Sequence, residues 1–265
     1  MTPKTVENIR RLFTAPFGRV LDLLCPAICT VCGQVSESGH IICPKCAEKI
    51  VTPQEHLCPR CGAKRNAGQV NVPDCVRCRY SQFRFRKAIA LGDYETDLRD
   101  IVLRMKTGKS GMLATAVANM LVKYRLQEML DANADLVIPV PMHWQRYRLR
   151  GVNSPDFLAR EIARHLKLPV ALATVQRIGY TVEQHKLHFE QRKENVADAF
   201  YLPPPSWFYS VKSVAGKRIL LVDDILTSAA TCNEVTKTLM SNKAKSVTVV
   251  TVARAGVALL SAGGL

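Results

Sequence analysis

Two groups of residues in this 265-residue chain have types and spacings that can do chemistry. The first is a run of cysteine pairs: Cys29 and Cys32, Cys43 and Cys46, Cys58 and Cys61, Cys75 and Cys78, each with two residues between its members. Two intervening residues let both thiolates of a tight turn reach one tetrahedral ion, and the spacers of 10, 11 and 13 residues between pairs suit ribbon hairpins. Eight such ligands make two four-cysteine sites for structural Zn²⁺, closed shells without an open catalytic position. Sequential pairing of the four turns is favoured, although spacing alone leaves interleaved pairing open. Cys25 and Cys232 are left over and read as small buried hydrophobes.

The second group is Asp223 and Asp224, followed by Ile225, Leu226, Thr227, Ser228, Ala229, Ala230 and Thr231, directly after the apolar run Ile219 to Val222. A carboxylate pair where a buried strand ends, leading through small and hydroxyl residues into a helix, lies where open α/β sheets bind ligands. The free N–H groups of a helix start suit a phosphate there. Thr227, Ser228 and Thr231 add hydroxyl donors. Two adjacent carboxylates repel a bare polyphosphate but accept hydrogen bonds from vicinal hydroxyls, so the ligand these residues describe is a phosphoribose. A strand ending in two aspartates also suits a receiver domain, but that fold needs a phosphorylated aspartate on a later strand. The residues after Asp224 hold one acid, Glu234.

The elements that must position these groups follow from periodicity. Residues 4–24 read as an amphipathic helix with Ile9, Leu12, Phe13, Val20, Leu21 and Leu24 on one face. Residues 25–80, rich in Gly, Pro and Cys, read as a metal-stapled module too small to build its own core. From residue 81 the texture is α/β, with strands expected at Ala88 to Tyr94, Leu136 to Val140, Val170 to Val175, Ile219 to Val222 and Val247 to Val252. Helices are expected at Thr96 to Met105, Met112 to Leu130, Ser154 to Leu166 and Cys232 to Ser241, and a turn at Gly108 to Gly111. Such alternation implies a mostly parallel sheet flanked by helices. Residues 179–198 lack periodicity and read as a loop.

The chain has 37 Lys+Arg against 22 Asp+Glu, a formal net charge of +15 that becomes about +11 once eight thiolates and two Zn²⁺ are counted. That excess favours polyanionic partners, nucleic acid or phosphorylated small molecules. No apolar run reaches the length of a membrane span, and the N-terminal stretch is broken by Arg10, Arg11, Arg19 and Asp22. Without a secretory signal, the expected setting is the reducing cytoplasm, where cysteines bind metal. Two stretches interleave aromatic and basic residues, Tyr80 to Lys87 and Trp144 to Arg148, and such surfaces can stack bases. The first also fits a strand with Phe83 and Phe85 buried and Arg84 and Arg86 exposed.

The segment Ile219 to Thr231 resembles the PRPP-binding motif of type I phosphoribosyltransferases, and the whole chain resembles the ComF/GntX competence-protein family, a double zinc ribbon ahead of a phosphoribosyltransferase-like domain. The resemblance extends to Asp135 through His143, to the Gly151-Val152-Asn153 turn, and to Arg177, Thr181, Gln184, Arg192, Asn195, Ala199 and Phe200. It implies that Asp223 and Asp224 hold the ribose hydroxyls beside the reacting carbon and that Thr227, Ser228, Ala229, Ala230 and Thr231 grip the 5′-phosphate. It further implies Mg²⁺ with PRPP, and Arg146, Arg148 and Arg150 on the pyrophosphate side. Family association with competence implies a role in DNA uptake or reuse of imported DNA, with single-stranded DNA and competence-machinery proteins as partners. Two other readings follow from the same fold: an active transferase of nucleotide metabolism that releases pyrophosphate, and a non-catalytic scaffold for single-stranded DNA or protein. His143, His185 and His188 are expected to be loop histidines, since an oxocarbenium-type transfer needs no strong base.

Two departures from the family pattern stand out. Ala229 replaces the usual Gly of the phosphate cup, which matters if that position is left-handed. Ser154 stands where Gln often follows the Gly-x-Asn turn.

Overall fold

The computed structural model describes residues 28–36, 41–65, 75–107, 111–178, 199–204 and 212–255. The expected helix at 4–24, Cys25, residues 108–110 of the expected turn and the stretch 179–198, with His185 and His188, lie outside the described residues. The chain divides into two compact units, Met1–Lys49 and Ile50–Leu265. The expected boundary near residue 80 and this division therefore differ in where they place the second four-cysteine set.

In the smaller unit the first cysteine turn is closed by Gly33, whose N–H donates to the Cys29 carbonyl at 2.9 Å. Gly33 adopts φ +71°, a backbone state that L side chains rarely adopt. Helix α1, Pro44–Ile50, opens on a proline, which has no N–H to leave unsatisfied at a first helical position. The second set repeats the device in the larger unit. Gly62, at φ +68°, donates to the Cys58 carbonyl at 2.9 Å. A Cβ there would also stand 3.1 Å from the Ala88 carbonyl oxygen. Helix α2, Val76–Tyr80, follows Cys75.

The larger unit then builds a parallel sheet. Strand β1 is Lys87–Asp93, helix α3 Thr96–Met105, helix α4 Gly111–Asp131 and strand β2 Leu136–Pro139. Helices α5, Trp144–Arg150, and α6, Ser154–Leu166, come next. Strands β3, Gln176–Arg177, and β4, Phe200–Tyr201, pair antiparallel as a separate ribbon. Strand β5, Arg218–Leu226, helix α7, Ala230–Ser241, and strand β6, Ser246–Arg254, complete the described fold. The sheet order is β1-β6-β5-β2, with every neighbour parallel.

The continuous apolar run of β5 is what burial on both faces demands. Ile219 and Leu221 join one core with Val247, Val249 and the α7 residues Cys232, Val235 and Leu239. The alternate residues Leu220, Val222 and Val250 are equally buried and point to the other face, as the period of two requires. Helices α4 and α6 pack there, touching β1, β2 and β5.

One expectation is corrected. Val170 to Val175 is no strand: only Val170 bridges to Val137, and the pairing begins at Gln176 instead. Pro169 precedes that bridge and has no N–H to give a ladder, so contact is limited to its carbonyl, which accepts from Val137 N at 3.0 Å, and to Ala171 N, which donates to the Val137 carbonyl at 2.9 Å. The basic segment after His143 is a helix, α5. The His143 Nδ1 caps it by accepting from Gln145 N at 3.3 Å, and Gly151 at φ +72° ends it by donating to the Tyr147 carbonyl at 2.7 Å.

Candidate functional site

Because β2, β5 and β6 run parallel, their following segments meet at one edge of the sheet. Strand β5 outruns its neighbour: Pro139 of β2 pairs with Val222, and beyond it Asp223 to Leu226 are flanked on the other side by β6, with Asp223 opposite Thr251 and Leu226 opposite Arg254. Among the described residues no strand pairs with the acidic pair on the β2 side of β5, at the carboxyl edge where parallel sheets take ligands.

The two carboxylates are not equivalent. Asp223 Oδ1 accepts from the Asp224 N–H at 2.9 Å, and its Oδ2 accepts from the Cys232 thiol at 3.5 Å. Burial, and next the charge of Asp224, push the Asp223 carboxyl up to about 7, whereas Lys106 and these hydrogen bonds pull the other way. Asp224 faces Lys106, whose Nζ lies 3.4 Å from Oδ2. Lys106 follows the last turn of α3, and the hydroxyl of Ser154 at the start of α6 donates to the Met105 carbonyl beside it at 2.6 Å. The family departure at Ser154 therefore has a structural use: it ties the end of the lysine's helix to α6. Neither contact was legible from the sequence, where Lys106 stands alone and far from the aspartates.

The loop after the acids leads into α7. Ala229 is its N-cap residue at φ +66°, ψ +6°, in the left-handed region, so the condition that made this departure significant is met. Its side chain is buried at 3 % exposure within the core of the larger unit. Ser228 Oγ accepts from the Ala230 N–H at 3.4 Å. Thr227 is partly buried, and its carbonyl is held from below by two arginines, Arg77 at 3.1 Å and Arg254. Thr231 falls in the first turn of α7.

The three arginines of α5 diverge. Positions 146 and 150 share a helix face, while Arg148 projects elsewhere and lies over the Trp144 ring at 5.0 Å. Arg146 is close enough to Arg177 and His143 for its charge to lower the pKa of both, and burial is the larger cause in each case. Arg177, brought down to about 10 chiefly by burial, also feels Asp223, and its guanidinium lies over the Phe200 ring at 5.5 Å. His143 is 3 % exposed and its Nδ1 accepts from Gln145 N as the α5 cap. Asn153 braces the loop between these parts, donating from Nδ2 to Asp156 Oδ1 at 2.7 Å and to the Val140 carbonyl at 3.4 Å.

The cysteines form two clusters, Cys29, Cys32, Cys43 and Cys46 in the smaller unit, and Cys58, Cys61, Cys75 and Cys78 in the larger. The pairing is sequential. Within each cluster all four sulfurs lie within 4.8 Å of one another. The closest separations, 4.0 Å for Cys32 to Cys43, 3.8 Å for Cys58 to Cys78 and 3.7 Å for Cys61 to Cys75, match the edge of about 3.8 Å of a tetrahedron with Zn–S bonds near 2.3 Å. Both clusters fit structural zinc. Among the described residues no helix is long and apolar enough to cross a membrane.

Comparison with known proteins agrees with this architecture. Residues 20–79 match the double zinc ribbon domain and residues 157–260 the phosphoribosyl transferase domain. The DNA utilization protein YhgH of Salmonella typhi is 31% identical over 235 residues, covering 86% of this chain and 96% of that protein. Its counterpart in Escherichia coli K12 is 29% identical over the same shares. Competence protein F of Haemophilus influenzae is 26% identical, covering 84% of this chain and 94% of that one. Among solved structures, a glutamine PRPP amidotransferase from B. subtilis aligns over 58% of this chain at 19% identity and a TM-score of 0.35, and the chain spans 30% of that longer protein. The chain belongs to the ComF/GntX family, relatives of competence protein F that join a double zinc ribbon to a phosphoribosyltransferase domain.

Proposed function

We propose that this protein binds PRPP or another ribose 5-phosphate moiety at the carboxyl edge of β5 and serves in the use of DNA taken up by the cell. The observation that carries this reading is the succession on one strand end of Asp223, Asp224 and the Thr227 to Thr231 turn into a 12-residue helix. A ribose diol donates to the two carboxylates while the terminal phosphate meets the N–H groups and hydroxyls of Thr227, Ser228 and Thr231. Arg146, whose charge acts on Arg177, is the α5 arginine best suited to the pyrophosphate, and Arg148, over Trp144, the least suited. Mg²⁺ bound with the ligand would supply counter-charge to its phosphates, and Asp223 and Asp224 are the carboxylates that would face it.

In the transferase version of this role a nitrogen nucleophile forms the new bond to the ribose anomeric carbon, the carbon–oxygen bond to pyrophosphate breaks, and pyrophosphate leaves with its electron pair. The protein contributes positioning and charge: Asp223 and Asp224 fix the ring and face the developing cation, and the arginines face the leaving group. Turnover in the presence of Mg²⁺, PRPP and a panel of bases, followed by ³¹P NMR, checks this version. Pyrophosphate release that Asp223→Asn and Asp224→Asn abolish is the expected signature, and hydrolysis indifferent to both substitutions argues against it.

A second reading has its own observation. On α5, Trp144 is 55 % and Tyr147 49 % exposed, with the Arg148 guanidinium over the indole, a surface suited to stacking single-stranded DNA bases. The other aromatic–basic stretch does not offer this, because Phe83 and Phe85 stack on each other at 5.0 Å and are turned inward beneath Arg60. Titration of labelled single strands at several salt concentrations should show binding that weakens with salt and with Trp144→Ala but not with Arg84→Ala. Equal loss in both variants would assign the binding to bulk charge.

A further inference from the structure

The second cysteine cluster is joined to the candidate phosphate loop by side chains that a scaffold alone does not require. Arg77 lies between the ligands Cys75 and Cys78, on α2, and is 7 % exposed. Its Nη1 donates to the Thr227 carbonyl at 3.1 Å, across 150 residues of sequence. Arg254, at the end of β6 and 1 % exposed, donates from Nη1 to the carbonyls of Leu226 and Thr227. Its guanidinium lies 6.0 Å from the centre of the Phe83 ring. A third strap joins the two regions: Asn233 of α7 accepts from Arg84 N at 3.0 Å and donates to the Gln82 carbonyl at 3.1 Å, in the segment that follows Cys78.

Two buried guanidiniums on one carbonyl is an arrangement that needs a reason, since each repels the other. Arg77 Nε and Nη2 and Arg254 Nε find no hydrogen-bond acceptor among the described residues. The cluster supplies part of their compensation: Cys61, Cys75 and Cys78 act on Arg77 alongside Asp93, and Cys61 and Cys75 act on Arg254 alongside Cys232, as favourable charges. Four thiolates around one Zn²⁺ leave a net charge of about −2, the counter-charge for two arginines. Peptide geometry carries the effect onward. All described peptides are trans, so a carbonyl drawn toward the arginines turns the following N–H to the opposite side. Holding the carbonyls of Leu226 and Thr227 therefore aims the N–H groups of Thr227 and Ser228 together, away from the cluster.

We infer that Arg77 is a positioning residue through which zinc in the Cys58, Cys61, Cys75 and Cys78 cluster holds the phosphate loop in its binding shape, so that loading of this one metal site governs the ligand site. The relevance to phosphoribosyl binding rests on the reading under Proposed function; the coupling of metal to loop does not.

The test uses the full chain. Hydrogen exchange of the peptide spanning Asp223 to Asn233 is compared in the native protein, in Arg77→Met, in Arg77→Lys, and in Cys78→Ser and Cys32→Ser, which empty the second and first clusters respectively. Removing a buried charged hydrogen bond should speed exchange in this peptide by about tenfold or more in Arg77→Met, with two zinc ions per chain retained and β6 protected as before. Arg77→Lys, which keeps the charge, should lie between, and Cys78→Ser but not Cys32→Ser should reproduce the effect. Exchange unchanged in Arg77→Met, or equal acceleration from Cys32→Ser and Cys78→Ser, overturns the inference. Calorimetry with ribose 5-phosphate separates the two layers. If the native protein binds it and Arg77→Met binds it as well, the claim that this metal site governs the ligand site is refuted; if the native protein fails to bind, the phosphoribosyl reading falls while the exchange data still decide the coupling of metal to loop.

Discussion

The Nζ of Lys106 lies 3.4 Å from Oδ2 of Asp224, so the acidic pair at the end of β5 meets a cation delivered from the far end of α3. That ion pair offsets part of the repulsion between Asp223 and Asp224, which together with burial raises the Asp223 pKa. Lys106→Met removes an opposite charge that holds the Asp223 pKa down. The pH midpoint for ligand binding, set near 7 by Asp223 in the native protein, should therefore move upward in the variant. A midpoint unchanged in calorimetric titrations across about pH 5.5 to 9 would place the lysine outside the site's electrostatics.

The same carboxyl makes a stability prediction of defined sign. Its folded pKa, about 7, exceeds the ordinary aspartate value, so folding takes up a proton between about pH 4 and 7. Its contribution to stability is fully present below the unfolded value and is lost as pH rises through 7. Asp223→Asn removes the desolvated charge, so the variant should melt several degrees above the native protein at pH 8, with the gap closing by pH 5. Ligand affinity should move oppositely and vanish, the mark of a group retained for function at a cost in stability. Thermal melts at the two pH values check the first half, and a native protein that melts higher than the variant at pH 8 contradicts it.

Ala229→Gly tests the left-handed N-cap. Non-glycine residues in that conformation cost about 1 kcal/mol, but removing a buried methyl costs a similar amount, about 0.8 kcal/mol. Stability should thus change little, while the lost Cβ gives a phosphate closer access to backbone N–H groups. The expected result is tighter PRPP binding at an unchanged melting temperature. Weaker binding would mean that the alanine methyl itself shapes the loop.

Metal analysis should return two zinc ions per chain. Cys32→Ser and Cys58→Ser should each lose one, and loss should follow acidification because protons compete for the thiolates. Iron, or a single shared ion, would contradict two separate sites.

Much of the scaffold was legible because it obeys strong periodicities. Thr96–Met105 and Ser154–Leu166 show one apolar stripe, and β5 shows an unbroken buried run, so both helices and the central strand follow from pattern alone. Helix α5 was not, because Trp144, Gln145, Arg146, Tyr147, Arg148, Leu149 and Arg150 bury none of their side chains; its limits are set by the His143 cap and by Gly151 instead. The candidate site divides the same way. Asp223 through Thr231 are contiguous and lie on an expected strand, turn and helix. Lys106, Arg77 and Arg254 come from other elements and meet the site only when β5 and β6 pair and the second ribbon docks, which no local pattern encodes. The Cys232 thiol, read as a buried hydrophobe, is that and also a donor to Asp223.

Calorimetric titration of the zinc-loaded protein with PRPP, with and without Mg²⁺, tests the central claim most directly. Saturable one-to-one binding, strengthened by Mg²⁺ and lost in Asp223→Asn and Asp224→Asn, is the predicted result; no binding heat, or binding that survives both substitutions, would contradict it.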